Sequence, residues 1–327
     1  MVGGGVDQTD NAPRPRMPLR PDGPANRGRP PLSNGAKRGI VPAAGCGQSK
    51  GARLPSHSPS SLRSAGGPSV VALRGVAKRF ANGTLALEDL NLAVRPGEFV
   101  SVLGPSGCGK STALRLIAGL SEPSRGEIIW DAAGRNGRDR AQAPRGRDIG
   151  YVFQEPTLMP WSTVEKNVSL PLRLRRTAAS EAAPRVAAAL ERVGLASFRH
   201  AYPRELSGGM KMRVSIARAL VTDANLLLMD EPFAALDEIT RFKLNDDLLQ
   251  LWQALARTVV FVTHSVFESV FLSHRIIVMT PRPGRVFAEL AIEAPYPRDE
   301  GFRTSAEYAA YCRRASETLS KAMAAAA

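Results

Sequence analysis

From Val70 to Gly104 the apolar positions come in short runs: VVALRGV (70–76), LALEDLNLAV (85–94) and EFVSVLG (98–104). Apolar and polar residues alternate in the second run, which predicts a strand with one buried face, and the first two runs read as antiparallel strands. The third is nearly continuous and predicts a strand buried on both faces. After Gly104 the period changes to that of a helix, with Leu114, Ile117 and Ala118 in register. Residues 155–220 keep a mostly helical pattern through SEAAPRVAAALERVGL (180–195) and LSGGMKMRVSIARAL (206–220). NLLLMDEP (225–232), a helix from about Asp237 to Ala256, and TVVFVTH (258–264) follow. That helix is expected to pack through Ile239, Phe242, Leu249 and Trp252. RIIVMT (275–280) and RVFAELAIE (285–293) would complete the sheet, and a short helix over 304–322 carries a packing stripe of Tyr308, Tyr311, Ala315 and Leu319. Strand, helix and strand in succession predict an α/β core with parallel strands.

Composition narrows the class. A chain of 327 residues with 43% hydrophobic content can bury one large core or two modest ones. Its apolar runs fall far short of the roughly 18 residues that a membrane-spanning helix needs, so any membrane role is expected to be peripheral. Cys46, Cys108 and Cys312 are widely spaced and only four histidines accompany them, which suggests neither a disulfide framework nor a zinc site and fits a reducing compartment. The net charge of +14 would favour a nucleic acid or an anionic surface, but residues 1–69 hold ten Lys or Arg against three Asp, half of that charge. Rich in Pro, Gly and Ser, this stretch reads as a disordered basic tail or as a start assigned too far upstream. A transit peptide is the lesser reading, because the prolines oppose an amphipathic helix. The basic segment GRNGRDRAQAPRGR (134–147) reads as a solvated surface loop, so no nucleic-acid partner is expected.

Chemistry concentrates in two motifs. GPSGCGKST (104–112) fits the pattern G-x-x-x-x-G-K-[ST] and lies between an apolar strand and a helix. Gly104, Pro105, Ser106, Gly107, Cys108 and Gly109 would turn backbone amides toward nucleotide phosphates. Lys110 would reach the β and γ oxygens, Ser111 would ligate Mg²⁺, and Thr112 would take the α-phosphate. Cys108 reads as a bystander. In LLLMDE (226–231) the strand delivers Asp230 to the Mg²⁺ shell, and Glu231 can polarise the attacking water. Seen alone, this acidic pair could equally cap a helix. His264, at the end of TVVFVTH, could touch a γ-phosphate or be purely structural, and Gln154, after IGYVF, could be a surface amide. LSGGM (206–210) places two glycines at a helix start, a second anion site in a chain with no internal repeat.

Taken in order, GPSGCGKST, Gln154, LSGGM, LLLMDEP, ALD (235–237) and His264 resemble the ATPase subunit of the ABC transporter family over about residues 70–295. The resemblance implies a P-loop NTPase fold with a mixed sheet core, an antiparallel β subdomain, a helical subdomain at about 155–220 and a C-terminal helical extension over 296–327. It also assigns the second anion site. Two subunits pack head to tail, so Ser207, Gly208 and Gly209 would hold the γ-phosphate bound to the partner subunit, and Asp237 would lie across the seam. Phe80 would stack on adenine, Gln154 would join Ser111 and Asp230 around Mg²⁺, and the catalytic set would be Glu231, His264, Gln154 and Lys110. Met210 and Met212 depart from the glutamines more usual in the signature.

GYVFQEPTLMPWSTVEKNV (150–168), the LSGGM variant, MTPRPGRV (279–286) and PYPR (295–298) look like the nitrate, sulfonate and taurine branch of bacterial importers. That branch implies a homodimer or a pair of similar ATPase subunits, an integral membrane permease, a periplasmic or lipoprotein solute-binding protein, and a place on the cytoplasmic side of the inner membrane. Segment 155–163, with Leu158, Met159 and Trp161 expected to be exposed, would receive the permease, unless these residues are an ordinary core turn. A soluble ATPase acting on nucleic acid or ribosomes would need a second cassette or a coiled-coil insertion, and a scaffold would need a damaged motif. The transported solute is not written in this chain.

Overall fold

The computed structural model describes residues 69–130 and 149–325. The basic tail expected over 1–69, apart from Ser69 itself, the basic loop 134–147 and Cys46 lie outside the described residues. Among those described, the chain forms β1 (Val71–Arg79), β2 (Leu85–Val94), β3 (Phe99–Leu103), α1 (Lys110–Ile117), β4 (Arg125–Trp130) and β5 (Ile149–Val152). Then come α2 (Val164–Leu174), α3 (Ala179–Arg192), α4 (Gly208–Leu220), β6 (Leu226–Asp230), α5 (Glu238–Leu255), β7 (Thr258–Thr263) and α6 (Val266–Leu272). β8 (Arg275–Met279), β9 (Val286–Ala291), α7 (Glu300–Arg303) and α8 (Ala306–Ala324) complete it.

Two sheets result. β2, β1 and β4 pair antiparallel, and β2 buries Leu90, Leu92 and Val94 while exposing Asn91 and Ala93, the alternation of a sheet packed on one face. The second sheet runs β5-β6-β7-β3-β8-β9, parallel except for its antiparallel edge strand β9. β3, β6 and β7 are buried at every position because side chains pack on both faces of the sheet, which is why these segments read as unbroken apolar runs. A smaller cluster of Val164, Val168, Leu172, Val186, Leu190 and Val214 joins α2, α3 and α4. α4 belongs to both: Met212 and Ile216 enter the main core, whereas Val214 and Ala217 face the helical cluster.

One expected packing face differs from the structure. On α5 the buried residues are Leu244, Asn245, Leu248 and Leu249, and Ile239 is 83% exposed. Its spacing is helical, but the first turn, entered from the Asp237 cap, has nothing packed over Ile239. α8 covers the helix expected over 304–322, shifted by two residues; Tyr308 and Ala315 are buried in the main core and Tyr311 and Leu319 pack against it, and Cys312 and Ala322 join them. Arg298, 4% exposed, pins this C-terminal segment: its guanidinium donates to the carbonyls of Val270, Phe271 and Ser273 at the end of α6 and to Ala294, and lies over the Tyr296 ring at 4.2 Å. The carbonyls of Val270, Phe271 and Ser273 belong to the end of a helix, where no further turn can satisfy them.

Candidate functional site

The parallel strands bring the motifs to one edge. Leu103 of β3 pairs with Thr263 of β7, and Asp230 of β6 pairs with Val262, so residues 104–112, Glu231 and His264 all leave the C-terminal ends of neighbouring strands. This is the edge at which open α/β sheets bind ligands. β5 lies beside β6 with Val152 opposite Met229, and the exposed Gln154 follows two residues later on the same edge.

The loop before α1 turns through two left-handed glycines, Gly107 (φ 76°) and Gly109 (φ 104°). A Cβ at Gly109 would lie 2.7 Å from Leu87 Cδ2, so only glycine fits here. Lys110, 3% exposed, donates from Nζ to the carbonyls of Gly104 (2.9 Å) and Pro105 (3.0 Å) and stands 3.2 Å from Glu231 Oε1. Its ammonium thus projects back through the loop. Burial pushes the Cys108 thiol up, and the Lys110 charge opposes that shift. Thr112 is half-buried in the first turn of α1, and the exposed Ser106 lies at the mouth of the loop.

Asp230 and Glu231 diverge from one strand end. The Ser111 hydroxyl donates to Asp230 Oδ1 at 2.7 Å, and the Tyr151 hydroxyl to Oδ2 at 3.4 Å. Burial raises the Asp230 carboxyl; the Ser111 bond lowers it and the adjacent Glu231 charge raises it further. Glu231 takes a left-handed backbone (φ 45°), unusual for a residue with a side chain, while its N–H still donates to Val262 O at 2.9 Å. Its carboxylate is held between Lys110 Nζ and His264 Nδ1, the latter at 2.9 Å. Strain of this kind gathers at working sites. A hydroxyl and a carboxylate in contact are hard oxygen donors of the type Mg²⁺ takes. Among the described residues no group of three or more His, Cys, Asp or Glu could by itself hold a metal ion.

The other singled-out residues lie apart from this cluster. Ser207 caps α4, accepting from Met210 N–H at 3.3 Å, and with Gly208 it is exposed while Gly209 is buried. Asp237 caps α5, accepting from Thr240 N–H at 2.9 Å, a bond that holds its carboxyl below the usual range. Phe80 is 41% exposed, with Lys78 Nζ 5.7 Å from its ring centre.

In segment 155–163 Trp161 is 77% exposed, but Met159 is half-buried and Leu158 packs on the helical cluster, so the expectation that all three are exposed is corrected. The correction follows from Asn167, wholly buried, whose amide bonds Met159 at both N–H and carbonyl and also bonds the Ser162 and Thr163 carbonyls. Arg218 of α4 donates to the carbonyls of Pro156 and Thr157. The segment is thereby drawn inward at Leu158 and outward at Trp161.

Sequence reasoning did not find Tyr151, Asn167 or Arg282. Tyr151 alternates with buried residues in β5, a weak signal, and Arg282 lay in a segment read only as a branch mark; it donates to Gly107 O from two nitrogens.

Comparison with known proteins yields a consistent set. Residues 87–234 match the family model described as ABC transporter. An uncharacterized ABC transporter ATP-binding protein of Methanocaldococcus jannaschii is 47% identical over 233 residues, covering 71% of this chain and 84% of that protein. An aliphatic sulfonates import ATP-binding protein of Bacillus cereus is 43% identical over 233 residues, covering 70% and 89%. Among solved structures, a subunit of the CbiONQ ABC transporter complex of Clostridium perfringens matches with a TM-score of 0.62 and 28% identity over 69% of this chain and 90% of that one. A dimeric ATP-binding cassette in a post-hydrolysis state with ADP and phosphate matches with a TM-score of 0.59 and 35% identity over 69% and 100%.

Proposed function

The chain belongs to the ABC transporter family of ATP-binding subunits and is an ATPase, and we propose that it energises import of a small solute, of the sulfonate, nitrate or taurine type, through a separate membrane permease. The observation that carries the chemistry is the Glu231 carboxylate, poised between Lys110 Nζ and His264 beside the Ser111–Asp230 pair. ATP would bind with its phosphates along residues 104–112 and its adenine on Phe80, since stacking needs only a π-face. Ser111, Asp230 and Gln154 would hold Mg²⁺, which would neutralise charge on the β and γ phosphates.

Glu231 Oε accepts a proton from water as that water attacks the γ-phosphorus in line, and the products are ADP and phosphate. Lys110 exchanges its loop carbonyls for the phosphate oxygens and stabilises the charge that develops on them. His264 holds Glu231 in place and reaches toward the γ-phosphate. Ser207 and Gly208 are exposed, with Gly209 buried directly after them, and all three are far along the chain from the loop, which supports their acting on the nucleotide of a second ATPase subunit, with Asp237 at the seam. The dimeric cassette among the structural relatives supports that arrangement.

The import reading rests on the relative named for sulfonate import and on the exposed Trp161, which offers an apolar anchor to a permease. No helix among the described residues is long and apolar enough to cross a membrane, so a place at the cytoplasmic face would depend on that partner. A solute-binding protein completes the proposed importer. The test is Glu231→Gln, which removes the proton acceptor and keeps the shape. Hydrolysis should fall by about 10²-fold or more with ATP binding retained. A turnover within a few-fold of the unsubstituted protein refutes the assignment of Glu231 as base.

A further inference from the structure

The segment Thr280–Arg285 joins β8 to β9 and is built as a rigid turn. Thr280 N–H donates to Arg285 O at 3.0 Å, while the Thr280 hydroxyl donates to Pro283 O at 3.1 Å and accepts from Arg285 N–H at 3.0 Å. One side of the turn is fastened to β2: Gly284 N–H donates to Ala86 O at 2.9 Å, Glu88 N–H donates to Gly284 O at 3.1 Å, and Arg285 pairs with Glu88. The other side lies against the phosphate loop so closely that a Cβ at Gly284 would fall 2.1 Å from Cys108 O. From this base Arg282 Nε and Nη2 both donate to Gly107 O, at 3.2 and 3.1 Å.

Gly107 is exposed, left-handed and in the middle of the loop, where a glycine has the most conformations to lose. A forked cation on its carbonyl fixes the peptide plane between Gly107 and Cys108 from outside, leaving the inner side of the loop for phosphate. Two donors from one planar guanidinium define an orientation that a single ammonium cannot. Ordering the loop before the nucleotide arrives removes that cost from binding.

We propose that Arg282 is a positioning residue for the nucleotide: it touches no reacting atom and acts by holding residues 107–108 in the binding conformation. This rests on the reading of residues 104–112 as the ATP site. The expected signature is a loss of affinity without a loss of turnover, because the same loop geometry is reached once nucleotide is saturating.

The test measures Mg-ADP affinity by titration calorimetry, with ATPase kinetics and melting temperature, for the full chain and for Arg282→Ala, Arg282→Lys and Lys110→Ala. Arg282→Ala should weaken ADP binding about three- to tenfold and raise the KM for ATP in parallel, with kcat within about twofold and the melting temperature nearly unchanged. Arg282→Lys should recover less than half of the loss, and the loss should persist in high salt because it does not arise from long-range attraction. Unchanged affinity in Arg282→Ala overturns the inference while nucleotide binding that depends on Lys110 leaves the site reading intact. Failure of the unsubstituted chain to bind nucleotide overturns both. An effect abolished by salt, or a fall in kcat together with melting temperature, also overturns the positioning role.

Discussion

Replacing Arg298 by Met tests whether the C-terminal segment is part of the fold or an appendage. The guanidinium makes four contacts of 2.9–3.1 Å to carbonyls of Val270, Phe271, Ser273 and Ala294, with a fifth at 3.4 Å to Ile292. Bonds from a charged donor contribute about 1.5–3 kcal/mol each, so the gross loss is on the order of 6 kcal/mol or more. Burying the charge offsets several kcal/mol of this, and the same desolvation lowers the affinity of the guanidinium for its proton. Met restores most of the volume but leaves the helix-end carbonyls unpaired. The net destabilisation is then about 2–4 kcal/mol, or roughly 5–15 °C in melting temperature for a domain of this size. Thermal unfolding followed by circular dichroism measures it. A shift under about 2 °C would refute the argument, because it would mean that the carbonyls find water as readily as they find Arg298.

Other outcomes follow from the same geometry. The pair Trp161→Ala and Met159→Ser should abolish co-purification with the permease and leave basal ATPase intact, whereas Leu158→Ser should lower the melting temperature; retained assembly in the pair would remove Trp161 from the docking surface. Since burial raises the Cys108 thiol, its thiolate fraction near neutral pH is below that of an ordinary cysteine and increases as pH rises toward the raised value. Alkylation by iodoacetamide, followed by mass spectrometry, should therefore be slow at pH 7 and accelerate above pH 9, and fast labelling at pH 7 would contradict the burial.

Much of the site was legible because its chemistry is written in contiguous residues. The glycines, Lys110 and Ser111 occupy one loop, and Asp230 with Glu231 ends one apolar strand, so spacing alone proposed their roles. Their meeting depended on strand order. Nothing local states that β6 and β3 both flank β7, yet that order sets Glu231 beside Lys110 across a gap of more than a hundred residues. Arg282 and Tyr151 escaped notice for the same reason: each acts through a single contact with a residue distant in sequence.

Periodicity marked most of the strands and helices, though not β4, since a side chain's position relative to its neighbours repeats every two residues in a strand and every 3.6 in a helix. It could not determine what covers each face. Ile239 has the spacing of a packed residue and stands in solvent, whereas Leu158 has the setting of a surface loop and is drawn inward by its neighbourhood to Asn167. Whether an apolar side chain is buried depends on which distant element arrives against it, and that is set by how the whole sheet and its helices pack. The sequence by itself determined most of the elements and the chemistry they carry; the tertiary structure decided which of those elements meet.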